Sequence, residues 1–206
     1  MSDEYRTVLG VAEAKRVVKK SRFIALAKSV ESATDVKAFL EDVCGRYPSA
    51  THYCYAYSIG CDTQKREYAT DAGEPTHSAG PPILTVITHS GLSNLVCAVA
   101  RYYGGINLGV GGLIRAYSGT ARDCVSGARI VTRIFLERLQ VQCPYDKIGA
   151  VLNLCNRLNA EVLDVQYDRQ ANVALQIRRG QVESLKESLD GIDANIVLSC
   201  SEGIAK

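Results

Sequence analysis

The spacing of apolar residues changes several times along this chain, and each change marks a predicted element. Residues 13–20 and 22–29 read as two strands linked at Ser21. The first is half apolar, with Val17 and Val18 among lysines and arginines, and the second is more continuous through Phe23, Ile24 and Leu26. Val36, Phe39, Leu40 and Val43 then recur at helical spacing behind Ser32 or Thr34 as N-cap, and Tyr47-Pro48 ends the run. Residues 52–59 alternate, with Tyr53, Tyr55 and Tyr57 on one face and Cys54 and Ala56 on the other, which is a strand signature. These tyrosines suit either a covered sheet face or a platform on which bases stack. After a polar, turn-rich segment from 62 to 80, Ser78 with Pro81 and Pro82 predicts a helix start carrying Ile83, Val86 and Ile87 on one face, although the β-branched content argues the other way. Residues 92–103 form the next predicted strand, and 112–128 a helix with Leu113, Ala116, Tyr117, Thr120 and Cys124 inward.

The tail changes character. A strand over 133–143, a helix over 146–159, a hairpin of 161–167 and 172–178, a helix over 181–189 and a strand over 194–200 give the order β-α-β-β-α-β, the split βαβ or ferredoxin-like arrangement. The expected class is α+β in two domains, 1–130 and 131–206, with no internal repeat.

Between strand and helix, the stretch V-C-A-V-A-R-Y-Y-G-G-I-N-L-G-V-G-G-L-I-R-A-Y from Val96 to Tyr117 packs Gly104, Gly105, Gly109, Gly111 and Gly112 into one loop. Glycines allow positive φ and close backbone approach, and such a loop delivers free N–H groups to a helix start, where anions are favoured. It is neither a Walker A loop, since no Gly-Lys-[Ser/Thr] follows, nor a dinucleotide fingerprint, since Ile114 stands where the third glycine belongs.

Composition narrows the partners little. With 206 residues, 47% hydrophobic, 22% charged and a net charge of +2, any basic surface is local. Lys19, Lys20, Arg22, Arg101, Arg115 and Arg122 are the candidates. No apolar run is long enough to span a bilayer, and the first residues, Met1-Ser-Asp-Glu-Tyr-Arg, lack the apolar segment of a signal peptide, so a cytoplasmic protein with no membrane partner is expected. The eight cysteines (44, 54, 61, 97, 124, 143, 155 and 200) include no C-x-x-C pair and read as buried reduced thiols. His52, Cys54, Asp71, Glu74 and His77 could supply a nucleophile, base and orienter, or a divalent metal site, but at no diagnostic spacing.

Four motifs in order carry a resemblance. They are Lys20-Ser21-Arg22-Phe23-Ile24; Ala50-Thr51-His52-Tyr53-Cys54-Tyr55-Ala56-Tyr57; Asp71-x-Gly73-Glu74-Pro75 with Ser78-Ala79-Gly80-x-Pro82; and Arg101-Tyr102-Tyr103-Gly104-Gly105-x-x-Leu108-Gly109-x-Gly111-Gly112-Leu113. Together they resemble the IMPACT family, with the two-domain layout of its bacterial YigZ-like members. The resemblance implies a first domain like elongation factor G domain IV and ribosomal protein S5, and a ferredoxin-like second domain like elongation factor G domain V. Eukaryotic relatives restrain a starvation-response kinase largely through an extra N-terminal RWD domain. Here Lys20-Ser21-Arg22 stands almost at the start, so that role is not expected. Three positions depart from the family pattern: Ala72 replaces an aspartate, Pro81 a basic residue, and His77 a small one. These departures weaken metal, acid–base and phosphate-contact readings of the loop.

The expectation is a non-enzymatic factor that binds RNA or ribosomes and modulates translation. Lys20, Arg22, Arg101, Tyr102 and Arg115 are its nucleic-acid contacts, and His52, Asp71, Glu74, Gly104, Gly105, Gly111 and Gly112 line its cleft. No cofactor is implied. The alternatives are a protein-interaction module using residues 62–80 and a hydrolase or metal-dependent enzyme using His52, Asp71 and Glu74. The oligomeric state is not legible.

Overall fold

The computed structural model describes residues 3–60 and 65–200, the last three by their backbone alone. It mixes α and β throughout and divides into two compact units. One runs from Arg6 to Arg133, and the other joins Met1–Tyr5 to Ile134–Lys206. The division passes through β1 (Glu4–Val8) and β7 (Ile130–Ile134), which pair as a two-stranded ribbon. Strand β1 has no counterpart in the sequence reading, because five residues are too few for a periodic signal.

The first unit is built on a five-stranded antiparallel sheet. Its elements include β2 (Val11–Val18), β3 (Ser21–Ser29), α1 (Ala33–Arg46), β4 (His52–Ile59) and β5 (Arg66–Thr70). Helix α2 (Gly80–His89), β6 (Leu95–Tyr102) and α3 (Val110–Ser126) follow. The strand order is β2-β3-β6-β4-β5. Strand β6 is central and buried from Leu95 to Arg101 because helices cover both faces. On one face Phe23, Ala25, Cys54, Ala56 and Val99 pack with Ile83 and Ile87 of α2 and Leu113 and Tyr117 of α3. On the other, Ile24, Leu26 and Val96 pack with Val36, Phe39 and Val43 of α1.

Several local details depart from expectation for definable reasons. The β2–β3 link is the two-residue turn Lys19-Lys20, at φ 45° and 66°, rather than Ser21. A tight hairpin needs left-handed backbone at both central positions, and Ser21 is instead the first, fully buried residue of β3. Ser32, not Thr34, caps α1 through a reciprocal capping box with Asp35. The tyrosines of β4 cover a sheet face, packing on the α1-side core. Tyr53 donates to the Tyr47 carbonyl at 2.6 Å, and Tyr68 of β5 stacks 5.6 Å from Tyr57. They are therefore not an open stacking platform.

In the second unit, β8 (Leu136–Cys143), α4 (Ile148–Arg157), β9 (Glu161–Tyr167), β10 (Ala171–Arg178), α5 (Val182–Asp190) and β11 (Asn195–Cys200) form the expected split βαβ. The sheet order is β11-β8-β10-β9, all antiparallel. Val141, Val173, Leu175 and Ile177 meet Val151, Leu185 and Leu189 of the helices in one core. The strand expected over 133–143 is broken at Phe135, whose N–H turns to the Asp3 carbonyl at 2.7 Å.

Candidate functional site

Strand β6 delivers Arg101 and Tyr102 to its C-terminal end, and adjacent strand residues point to opposite faces. Arg101 enters the α2–α3 side, where its Nη1 donates to Glu74 Oε1 at 2.5 Å. Both side chains are deeply buried, at 7% and 3% exposure. Tyr117 of α3 donates its hydroxyl to the same Glu74 oxygen at 2.7 Å. The guanidinium also sits 5.4 Å from the ring centres of Phe23 and Tyr103. The expected phosphate contact by Arg101 is thereby corrected. Its Nη1 is paired to Glu74, and the side chain is buried beneath the surface.

The loop between β5 and α2 is organised by Asp71. Its Oδ1 accepts from the N–H groups of Ala79 and Gly80, both at 2.9 Å, and its Oδ2 from that of His77 at 2.8 Å. Asp71 therefore caps α2 from outside the helix. The expected cap, Ser78, instead donates to the Pro75 carbonyl at 2.6 Å. Burial works to raise the Asp71 carboxyl, but the three backbone N–H groups outweigh it and hold it below the usual carboxylate range. Gly80 has to be glycine: a Cβ there would lie 2.6 Å from the Thr70 backbone.

The residues of the enzyme reading are hydrogen-bonded within the first unit. His52 meets the Ala72 carbonyl through Nδ1 at 2.9 Å. The Cys54 thiol lies 2.9 Å from the Asp71 carbonyl oxygen and 3.3 Å from the Tyr117 hydroxyl. Burial pushes that thiol up to about 12, so no nucleophilic thiolate forms near neutrality. Burial, with Cys54 and Glu74 beside it, likewise raises the Tyr117 phenol well above its usual range. Among the described residues, His52, Cys54, Asp71, Glu74 and His77 do not gather as a metal-holding group. Of the segment proposed for protein contact, residues 62–64 lie outside the described residues, and Glu74, Ser78, Ala79 and Gly80 are buried.

The remaining predicted residues lie at the surface around the glycine loop. Gly104 donates its N–H to Ser21 Oγ at 3.1 Å, and a Cβ on Gly104 would collide with the Lys20 backbone, so the loop sits directly on the β2–β3 turn. Lys20 is exposed there. Arg22, opposite Tyr102 in the β3–β6 register, places its guanidinium 4.6 Å from the Tyr102 ring centre. Gly105 and Gly109 take φ of 80° and 70°, and Gly111 and Gly112 form the first turn of α3. Arg115 shares a cavity of about 170 Å³ with Arg16 and Lys19, floored by Leu108 and Gly112. Arg16 is tied to Asp123 at 2.6 Å. Lys19, Lys20, Arg22 and Arg115 form no ion pair among the described residues. The sequence places Tyr117 on the inner face of its helix but does not name Glu74 as the partner that its hydroxyl finds there.

Comparison with known proteins agrees with this geometry. The family model for the Impact N-terminal domain matches residues 19–125, which hold the sheet strands β3 to β6, the buried pair and the glycine loop. A domain of unknown function, DUF1949, matches residues 141–190. The chain belongs to the IMPACT family. It is 33% identical over 162 residues to the IMPACT family member YigZ of Escherichia coli, covering 78% of each chain. It is also 33% identical over 175 residues to an IMPACT family member of Haemophilus influenzae, covering 84% of each. A solved structure described as a hypothetical protein superposes with a TM-score of 0.75 and 25% identity, over 95% of this chain and 97% of its own.

Proposed function

We propose that this chain is a non-enzymatic cytoplasmic factor that holds RNA, free or ribosomal, and thereby modulates translation. The observation that carries the reading is that Lys19, Lys20, Arg22 and Arg115 are each exposed and in no ion pair among the described residues, in the β2–β3 turn, β3 and α3 that adjoin the glycine loop. Unpaired cations of this kind neutralise phosphates, and exposed loop backbone lets a strand approach. Tyr102 and Tyr103 flank them, and Tyr103 is 46% exposed, as a stacking partner would be. His52, Asp71 and Glu74 instead hold the loop before α2 and the end of β6. The translational part of the reading rests on the resemblance to folds of the translation machinery.

The test is RNA binding by the full chain, compared with the triple variant Lys20→Glu, Arg22→Glu, Arg115→Glu. The wild type should lose affinity steeply with salt. Removing three phosphate contacts on single-stranded RNA should flatten the log–log salt slope by about 2, with the thermal unfolding midpoint unchanged. Undiminished RNA binding in the triple variant would refute the proposal.

A further inference from the structure

Between α2 and α3 in the first unit, away from the β2–β3 turn, lies a cavity of about 590 Å³. That is within the range of small-molecule sites, roughly 300–1,000 Å³. Pro82, Val86 and Val125 supply apolar lining, while His77, His89 and Arg122 bring the cationic and imidazole groups. Among the described residues no aspartate or glutamate lines it. Arg122 is exposed and forms no ion pair among the described residues, while its neighbour Asp123 is committed to Arg16 at 2.6 Å. His77 is held at φ 61°, a conformation unusual for a residue with a side chain, by donation of its N–H to Asp71. Strain maintained by its surroundings marks positions where the fold fixes a side chain's direction.

We propose that this cavity binds one phosphorylated nucleoside. Arg122 with His77 and His89 meets the phosphate, and the proline–valine lining meets the base. The shared chemistry comes either from a free mononucleotide or from the 5′-terminal nucleotide of an RNA. The assignment draws its choice of a nucleotide from the RNA reading above but uses none of the same side chains.

The test is calorimetric titration of the full chain with adenosine 5′-monophosphate, with adenosine as the uncharged control. A short RNA is titrated in parallel with and without a 5′-phosphate. The monophosphate or the 5′-phosphorylated RNA should bind, and loss of the phosphate should weaken binding at least about tenfold. Arg122→Ala removes the principal charge, and Ser118→Leu fills the cavity from a position that lines it. Each should cost about tenfold or more. Lys20→Glu with Arg22→Glu should leave monophosphate binding intact. Compared in the Lys20→Glu, Arg22→Glu, Arg115→Glu background, which removes the surface contacts, tighter binding of the 5′-phosphorylated RNA than of the monophosphate identifies the occupant as an RNA end, and equal binding identifies a free nucleotide. The proposal falls if no phosphate-dependent binding is seen, or if both cavity variants bind as the wild type does. RNA binding lost in the Lys20, Arg22, Arg115 variant with no phosphate dependence would retain the surface reading and discard the cavity. Monophosphate binding without RNA binding would do the reverse.

Discussion

Replacing Arg101 by alanine decides whether the arginine of the central motif supports the fold or contacts a ligand. The substitution leaves the Glu74 carboxylate, 3% exposed, without its cation. Breaking a buried ion pair from one side typically costs about 3–5 kcal/mol, because the remaining charge stays desolvated. Glu74→Ala should cost about the same, and it also strips the Tyr117 hydroxyl of its acceptor at 2.7 Å. Replacing the pair together, as Arg101→Met with Glu74→Leu, removes both charges and keeps volume. It should leave only the unsatisfied Tyr117 hydroxyl, about 1–3 kcal/mol. The singles and the double are therefore strongly non-additive, with a coupling of several kcal/mol. Urea unfolding followed by circular dichroism and tyrosine fluorescence reads this directly. With a slope of about 2 kcal/mol per molar, each single variant should lower the midpoint of the first unit's transition by roughly 2 M, and the double by roughly 1 M instead of the roughly 4 M that additivity would give. Wild-type midpoints in both single variants, accompanied by lost RNA binding from Arg101→Ala, would refute the structural assignment and return Arg101 to the ligand surface.

Three further outcomes follow from the same geometry. Gly104→Ala forces a methyl group into the Lys20 backbone and should destabilise the first unit by about 1–3 kcal/mol, measured as a lowered thermal midpoint, whereas Gly105→Ala meets open space and pays only for its left-handed backbone. Asp71→Asn should cost about 1–2 kcal/mol at neutral pH, since an amide oxygen replaces a carboxylate that accepts three N–H groups at the start of α2. Because the folded Asp71 carboxyl is held low, its stabilisation is present above the unfolded value near ~3.9 and lost as pH falls through the folded value, so the two midpoints should converge in acid and stay apart at neutrality. Alkylation of the native protein with peptide mapping should modify exposed Cys44 well before buried Cys54, and early labelling of Cys54 would contradict its burial.

What the sequence revealed and concealed divides along the range of each interaction. Period-2 alternation placed β4, and period 3.6 placed α1, α2 and α3, because each pattern reports on a face against one core. The ferredoxin-like order of the second unit was legible for the same reason. Contacts that cross the chain were not. Glu74 and Arg101 are 27 positions apart, and nothing local says that one carboxylate and one guanidinium share a buried pocket. The α2 cap was sought next to the helix and is supplied by Asp71, eight and nine residues before the N–H groups that it receives. The left-handed turn falls on Lys19-Lys20, where neither residue is the glycine that commonly marks such a turn.

The division of the glycine-loop motif into inward and outward members was within reach of the sequence. Arg101 and Tyr102 are neighbours on β6, so the pleat must send them to opposite faces. The tyrosines of β4 and the apolar pairing of Phe23 already identify which face is which: Phe23 lies opposite Arg101 and Arg22 opposite Tyr102. Arg101 therefore points where Phe23 points, into the α2–α3 core, and Arg22 and Tyr102 face the other way as a stacked pair. A motif read as one binding surface is two structures back to back. The odd positions hold the end of the sheet to the helices through Glu74 and Tyr117. Arg22 and Tyr102 lie on the α1 face at the end of the sheet, where the proposed function has them meet RNA together with the β2–β3 turn. A buried arginine that fixes the end of β6 also fixes the start of the loop that follows it. Substitutions at Arg101 should therefore disturb binding through displacement of that loop, whereas substitutions at Lys20 or Arg115 should disturb binding and leave the fold unchanged.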